Sequence, residues 1–376
     1  MDTEEHIRVL IADDSFFIRR YLVELLHSDS DIEIVGTAST GDEVVELAAS
    51  LHPDVITMDY HMPGKSGIEA TASIMLGAKP LPSIIMLSAF DGESGEEMRL
   101  ALLASGAEVI TKPSGEVSLD IEKIAASILE RIKVCGRTQV SVRKALARLH
   151  HDTTERKPKP HEGMPSRVIV IGASTGGPPL VEQLLSLLGH SDKIAVVIVQ
   201  HMSKYFTELF AERLNRVTQF STKQAESEDA LIVGSAVVVP GGEALVHAED
   251  EQADPLQQPR FFPVETQKLN HEDTIDVTMK TIATAFGRRT IGVLLSGMGT
   301  DGAEGLREIH IQGGLTIVQD PESAVVSAMP LHAIDGGVVD QVLSIEHIAK
   351  FINEILEKDT HISSRDTMTN NARVEQ

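Results

Sequence analysis

The chain has no tryptophan, three tyrosines and ten phenylalanines among its 376 residues. Aromatic packing cannot dominate its cores, so burial must rest on Ile, Val, Leu, Ala and Met. Cysteine is nearly absent as well. Cys135 stands alone, which rules out an intramolecular disulfide and fits a reducing compartment. Its place near the end of a helical pattern predicts an inert thiol. Basic residues are few: 33 against 56 acidic ones, a formal charge of −23. That balance lacks the basic face needed to neutralise nucleic-acid phosphates, so no nucleic-acid partner is expected. No apolar run reaches the roughly 18 residues of a membrane span, and MDTEEHIR lacks the basic flank and apolar core of a signal peptide. A cytoplasmic protein without membrane insertion is expected.

What is present suits two domains of ordinary size. The first part alternates apolar runs (IRVLIAD, IEIVGTAS, DVITMD, SIIMLSA, EVITK) with helical patterns. These patterns are FFIRRYLVELLHS, GDEVVELAAS, GIEATASIML, GEEMRLALLASG and SLDIEKIAASILERI. Such alternation predicts a parallel sheet covered on both faces. His150 to Ser166, HHDTTERKPKPHEGMPS, has the Pro and charge density of an extended linker. A second alternation starts at Arg167, with RVIVIGA, IAVVIVQH, AVVVP, TIGVLLSG and LTIVQD as strands. The expected fold is therefore α/β, with two doubly wound parallel-sheet domains. The first, flavodoxin-like, covers 5–135 and the second, Rossmann-like, 167–357. A linker, 136–166, joins them, and a tail without apolar period, 358–376, is expected to lack structure.

In the first domain, Asp13 and Asp14 close one strand and Asp59 another. Acids gathered at the carboxyl edge of a parallel sheet repel one another unless a cation neutralises them. Mg²⁺, which takes one or two carboxylates and keeps waters, suits the place. Ser88 can donate a hydrogen bond from the fourth strand end. Lys112, on the fifth, supplies a point charge for a phosphate. Any one such acid is more often a solvated surface residue; five suitable residues on four strand ends are not.

These segments (IADDSFFIRR, TMDYHMPGKSG, MLSA and ITKPSG) resemble the receiver domain of two-component response regulators. The resemblance implies that Asp59 accepts a phosphoryl group from a histidine kinase. It further implies that Asp13, Asp14, Asp59 and the carbonyl of His61 hold Mg²⁺, with Ser88 and Lys112 on the phosphoryl oxygens. One position departs from the pattern: Val109 stands where receivers commonly carry an aromatic switch residue.

In the second domain, IGASTGGPP follows an apolar run. A glycine-rich strand-to-helix turn either cradles a phosphate or exposes a nucleophile. The P-loop spacing G-x-x-x-x-G-K-[ST] is missing, and Gly172, Gly176 and Gly177 do not match G-x-G-x-x-G. Gly172 to Gly176 does match G-x-S-x-G, which holds a serine clear of the sheet. By itself the pentapeptide is a weak signal. IAVVIVQHM supplies His201 as a base at the next strand end, and LLSGMGTDGAEG supplies Asp301 as its orienting acid. The amides near Thr175 and Met298 would receive an oxyanion. The order Ser174, His201, Asp301 is no obstacle, since such triads are defined by geometry.

Four motifs in order, VIGASTGGPP, VQHM with FTELFAERLN, LLSGMGTDGAEGL and VQDPESAVVSAMPLHAI, resemble the catalytic domain of the CheB family of chemotaxis protein-glutamate methylesterases. The resemblance implies hydrolysis of glutamyl γ-methyl esters and deamidation of glutamines on a chemoreceptor, with no cofactor for the hydrolase. A chemotaxis histidine kinase would be the phosphodonor, and the unphosphorylated receiver would cover the catalytic face. The family's usual histidine after PGG is missing, as is its Pro-Ser-Val, and Ala328 replaces a common glycine. These departures leave open a response regulator whose second domain acts on another ester or serves as a binding module.

Overall fold

The computed structural model describes residues 6–89, 107–112, 121–149, 160–161, 163–189, 192–247, 259–266 and 273–374. The helix expected over GEEMRLALLASG falls outside them, as do His150 and His151. The N-terminal strands are β1 (Ile7–Ala12), β2 (Ile32–Ala38), β3 (Val55–Asp59), β4 (Ser83–Ala89) and β5 (Glu108–Lys112). They form a parallel sheet in the order β2-β1-β3-β4-β5, the flavodoxin-like winding. The central β3 is buried at every residue. A sheet covered on both faces needs apolar side chains on both, hence unbroken runs rather than alternation. Ser15, Thr40 and Ser66 cap the helices Phe16–His27, Gly41–Leu51 and Gly67–Gly77 through their side-chain oxygens.

The C-terminal half holds a seven-stranded sheet and a small antiparallel one. Strands β6 (Arg167–Ala173), β7 (Ile194–Gln200), β8 (Ser221–Gln224), β10 (Ser235–Val238), β13 (Thr290–Leu294), β14 (Leu315–Gln319) and β15 (Gln341–Leu343) are parallel. Their order is β15-β14-β13-β6-β7-β10-β8. Strand β6 is first in the chain yet lies between β7 and β13, so the winding reverses at β6. Strands β9 (Asp229–Ala230), β11 (Glu243–His247) and β12 (Arg260–Glu265) form the antiparallel sheet in the order β11-β12-β9. The sequence pattern marks five strands here. It misses the antiparallel β9, β11 and β12, and it misses β8 and β15 because short edge strands such as STKQ and QVL bury too little to need an apolar run.

Two helices run past the expected boundaries. The helix Ile121–Leu149 continues through 136–149, which the sequence reading places in the linker. Ile128, Ile132, Cys135 and Gln139 all lie buried on one face of it. Gln139 donates to Ser83 Oγ at 3.0 Å and Arg143 to Asp54 Oδ2 at 2.9 Å. Polar residues thus continue the buried stripe by finding buried partners, which a hydrophobic period cannot reveal. The closing helix runs from Ile345 to Val374, beyond the expected end of the domain at 357 and through most of the tail expected to lack structure. Arg167 forks onto the Asp359 carboxylate at 2.8 and 3.2 Å, tying the helix to the start of β6.

The two halves meet through a buried cation. Arg213, on the helix Lys204–Val217, has no exposed surface and pairs with Glu182 of the helix Gly177–Leu187. It also donates to the carbonyls of Met75 and Ala78, and Arg216 donates to that of Leu76. These carbonyls end the helix Gly67–Gly77, where positive charge meets the negative end of the helix dipole. Ala72, Met75 and Leu81 complete the contact from the N-terminal side.

Arg213→Ala leaves Glu182 buried and unpaired. It is expected to lower the unfolding free energy by about 3–5 kcal/mol, read by chemical denaturation; a loss below ~1 kcal/mol would show that the pair is not desolvated. Burial pushes the Cys135 thiol up to about 12. Cys135 should therefore resist alkylation by iodoacetamide at pH 8 in the native chain and react once the chain is unfolded. Rapid native labelling would contradict its burial.

Candidate active site

The carboxyl ends of β6, β7 and β13 lie side by side where the winding reverses, the place an open α/β sheet offers a ligand. Strand β6 delivers Ser174, β7 delivers His201, and β13 leads into the loop that ends at Asp301. The backbone stitches the edge together. His201 N donates to Ala173 O at 2.9 Å, and Ser174 N to Ser296 O at 3.0 Å. Buried Gln200 donates from Nε2 to Ser174 O at 2.7 Å. Glycine is required where the segments touch. A Cβ on Gly297 would overlap Met329 and approach Ser174 Cβ to 2.7 Å, and one on Gly172 would overlap Ile275.

Three side chains form one hydrogen-bonded line. Ser174 Oγ lies 3.2 Å from His201 Nδ1, and His201 Nε2 lies 2.8 Å from Asp301 Oδ2. The neutral imidazole with its proton on Nε2 satisfies both contacts: Nε2–H donates to Asp301, and Nδ1 accepts from the serine hydroxyl. The Asp301 carboxylate is only 6% exposed. It also accepts from Ile275 N at 3.0 Å and Asp276 N at 2.8 Å, in the first turn of the helix Thr274–Phe286. A helix N-terminus thus fixes the acid with amides that have no partner within the helix.

The turn after Ser174 decides between the two uses of a glycine-rich loop. Gly177 N–H donates to Ser174 O at 2.9 Å, and Pro178 and Pro179 have no N–H. The helix start is thereby stripped of most donors a phosphate would need. Thr175 and Met298 line a cleft with Ser174, and their amides make no hydrogen bond among the described residues, while Gly297 N is spent on Val326 O. Ser174, His201, Gly242, Glu243, Thr274 and Met298 line this open cleft of about 370 Å³, together with Thr175. The sequence segments around Glu243 and Thr274, which depart from the family pattern, therefore do reach the cleft. No side chain of the N-terminal half lines it among the described residues. That half instead flanks the serine turn: Thr71, Met75 and Cys135 border a small cavity with Gly176, Pro178 and Val325.

Sequence reasoning missed four supports of this edge. Ser296 accepts from Val326 N at 2.9 Å and donates to Thr175 O at 2.8 Å, and its own N–H donates to Gln319 at 2.8 Å. Gln200 and Asp276 are the other two. Burial raises the pKa of Asp276 above the usual carboxylate range, and the charge of Asp301 adds to the rise, against the opposing hydrogen bond from Gly305 N. Gln200 and Gln319 left a signal, each a polar residue ending an apolar strand.

In the N-terminal sheet, Ala12 pairs with Met58, which sets Asp13 beside Asp59. One oxygen from each of Asp13, Asp14 and Asp59 lies within 4.8 Å of the others. Asp13 and Asp59 are buried and Asp14 is exposed. Three hard oxygen donors at this spacing fit Mg²⁺. Ser88 and Lys112 occupy the ends of β4 and β5 in adjacent register, Ser88 opposite Thr111 and Ala89 opposite Lys112; their side chains lie outside the described residues. Val109 sits on β5 opposite Met86. Among the described residues, no helix is long and apolar enough to cross a membrane.

Comparison with known proteins follows this division. A family model described as CheB methylesterase matches residues 169–352, and one described as response regulator receiver domain matches 9–122. A protein-glutamate methylesterase/protein-glutamine glutaminase of Methanococcus maripaludis is 39% identical over 90% of this chain and 94% of its own. One from Pyrococcus abyssi is 34% identical over 94% and 95%. The solved CheB methylesterase catalytic domain of Thermotoga maritima is 31% identical, with a TM-score of 0.46, covering 50% of this chain and 98% of that one. The chain belongs to the protein-glutamate methylesterase/protein-glutamine glutaminase family, with a receiver domain ahead of a CheB methylesterase domain.

Proposed function

We propose that the chain hydrolyses γ-methyl esters of glutamate side chains on a chemoreceptor and deamidates selected glutamines there, under control of phosphorylation at Asp59. The observation that carries this reading is the line Ser174 Oγ–His201–Asp301 at the mouth of the cleft. His201 Nδ1 takes the serine proton as Oγ attacks the ester carbonyl. Asp301 holds the imidazole and stabilises the imidazolium. The N–H groups of Thr175 and Met298 receive the oxyanion. The tetrahedral adduct collapses, the C–O bond to methoxide breaks, and His201 returns the proton so that methanol leaves. Water then attacks the acyl-serine by the same route, releasing the glutamate acid and restoring Ser174. With a glutamine side chain the leaving group is ammonia.

In the receiver domain, Asp59 takes a phosphoryl group from a chemotaxis histidine kinase, and Ser88 and Lys112 contact its oxygens. Asp13, Asp14, Asp59 and the carbonyl of His61 would hold Mg²⁺, which neutralises charge on the phosphoryl oxygens when bound. The helix Gly67–Gly77 supports a link between the two sites. Its N-terminal Gly67 donates to Tyr60 O at 2.9 Å, directly after Asp59. Its C-terminal carbonyls are held by Arg213 and Arg216, on the helix that starts three residues after His201. Phosphorylation needs to change the affinity across this contact by only a few kcal/mol to alter activity.

Ser174→Ala should lower methanol release from methylated receptor membranes by about 10⁴-fold or more with an unchanged circular dichroism spectrum. Release at the wild-type rate would reject the serine mechanism, and faster turnover of small esters than of receptor would point to another substrate. Asp59→Asn should abolish hydroxylamine-labile labelling by acetyl phosphate; a label that persists would move the phosphoacceptor elsewhere.

A further inference from the structure

Asp276 takes no part in the hydrogen-bonded line, yet it is 7% exposed and carries a carboxylate. Its Oδ1 accepts from Gly302 N at 2.9 Å and Gly305 N at 2.6 Å. These amides start the helix Ala303–Ile311, immediately after Asp301. Asp301 in turn accepts from the amides of Ile275 and Asp276, which start the helix on which Asp276 sits. Each aspartate thus caps the helix adjoining the other, and the two helices are locked at their N-termini by a closed ring of hydrogen bonds.

Beyond Gly297, which is held by Val326 and Met329, the loop leading to the helix Ala303–Ile311 has few holds of its own among the described residues. Gly299 and Gly302 adopt φ of +87° and +100°, the left-handed region that glycine enters freely and leaves as freely. The helices approach closely here: a Cβ on Gly305 would come within 3.2 Å of Asp276 Cα, and one on Gly302 within 3.0 Å of Ile275. Removing the Asp276 carboxylate would leave two N–H groups without their acceptor in a buried place. The loop would gain by rotating those groups toward other acceptors, and Asp301, one peptide away, would move with it.

We propose that Asp276 is a positioning residue for the hydrolysis, holding the glycine loop so that Asp301 Oδ2 stays within hydrogen-bond reach of His201 Nε2. This rests on the roles proposed above for Ser174, His201 and Asp301. Asp276 touches neither the imidazole nor the serine and acts only through Asp301.

The test is a double-mutant cycle on the full-length chain, with methanol release from methylated receptor membranes as the readout. Asp276→Ala is expected to lower kcat about 100-fold with KM changed less than threefold. Asp276→Asn, which keeps an acceptor oxygen for Gly302 and Gly305, should restore kcat to within about threefold of wild type. Once Asp301→Ala has been introduced, adding Asp276→Ala should cost nothing further. An additive loss in the double variant, or an asparagine variant as impaired as the alanine one, would overturn the proposal while leaving the triad intact. A wild-type rate for Asp301→Ala alone would instead reject the triad. If Asp276→Ala does not fold, Asp276→Ser takes its place under the same criteria.

Discussion

The C-terminal domain is organised around one buried carboxylate. Asp301 must accept from an imidazole on one strand end and from two amides on a helix N-terminus. These donors come from residues 25, 26 and 100 positions away in the chain, so no local preference brings them together. The sheet winding does so, by placing β13 and β7 on either side of β6. The glycines follow from the same constraint. Gly172 and Gly297 lack a side chain because Ile275, Met329 and Ser174 occupy the space where one would be. Small residues here are the consequence of three crossovers converging, and the serine turn at the cleft is one result of that convergence.

The second constraint is Arg213. A fully buried guanidinium costs several kcal/mol to desolvate and is tolerated only when its donors are met. Here they are met from both halves of the molecule: by Glu182 on one side and by carbonyls of the helix Gly67–Gly77 on the other. The same helix begins behind Asp59. The receiver therefore grips the catalytic domain on the flank of the serine turn and the helix that follows His201, while the cleft carries no receiver side chain among the described residues. An effect of Asp59 on hydrolysis can run through the placement of these elements as well as through covering the cleft.

Two departures from the family pattern acquire different meanings. The segment NHEDTID lacks the family's Pro-Ser-Val, yet it supplies the Ile275 and Asp276 amides and the carboxylate that hold the loop of Asp301. Backbone amides are available from any residue except proline, so the divergence of side chains leaves this work intact. Glu243 is different. Its side chain is paired with Lys204 at 2.7 Å and lines the cleft, so the change there bears on which substrate fits.

The doubly wound plan, the two parallel sheets and the gathering of Ser174, His201 and Asp301 at one sheet edge and of Asp13, Asp14 and Asp59 at another were legible in the sequence. Strands buried on both faces must be unbroken apolar runs, and chemistry-bearing residues at their carboxyl ends stand out against them. The edge strands β8 and β15, the extension of the helix Ile121–Leu149, the buried pair of Arg213 and the reciprocal capping by Asp276 were not legible. The edge strands bury too little to need an apolar run; the other three depend on polar groups whose burial is permitted by a partner distant in the chain, and a hydrophobic period carries no trace of such a partner. The orientation of the imidazole, Nδ1 to serine and Nε2 to aspartate, likewise belongs to tertiary structure alone. It follows from β6, which carries Ser174, being the neighbour of β7 while β13, which leads to Asp301, lies one strand further on, and residue type and spacing say nothing about that.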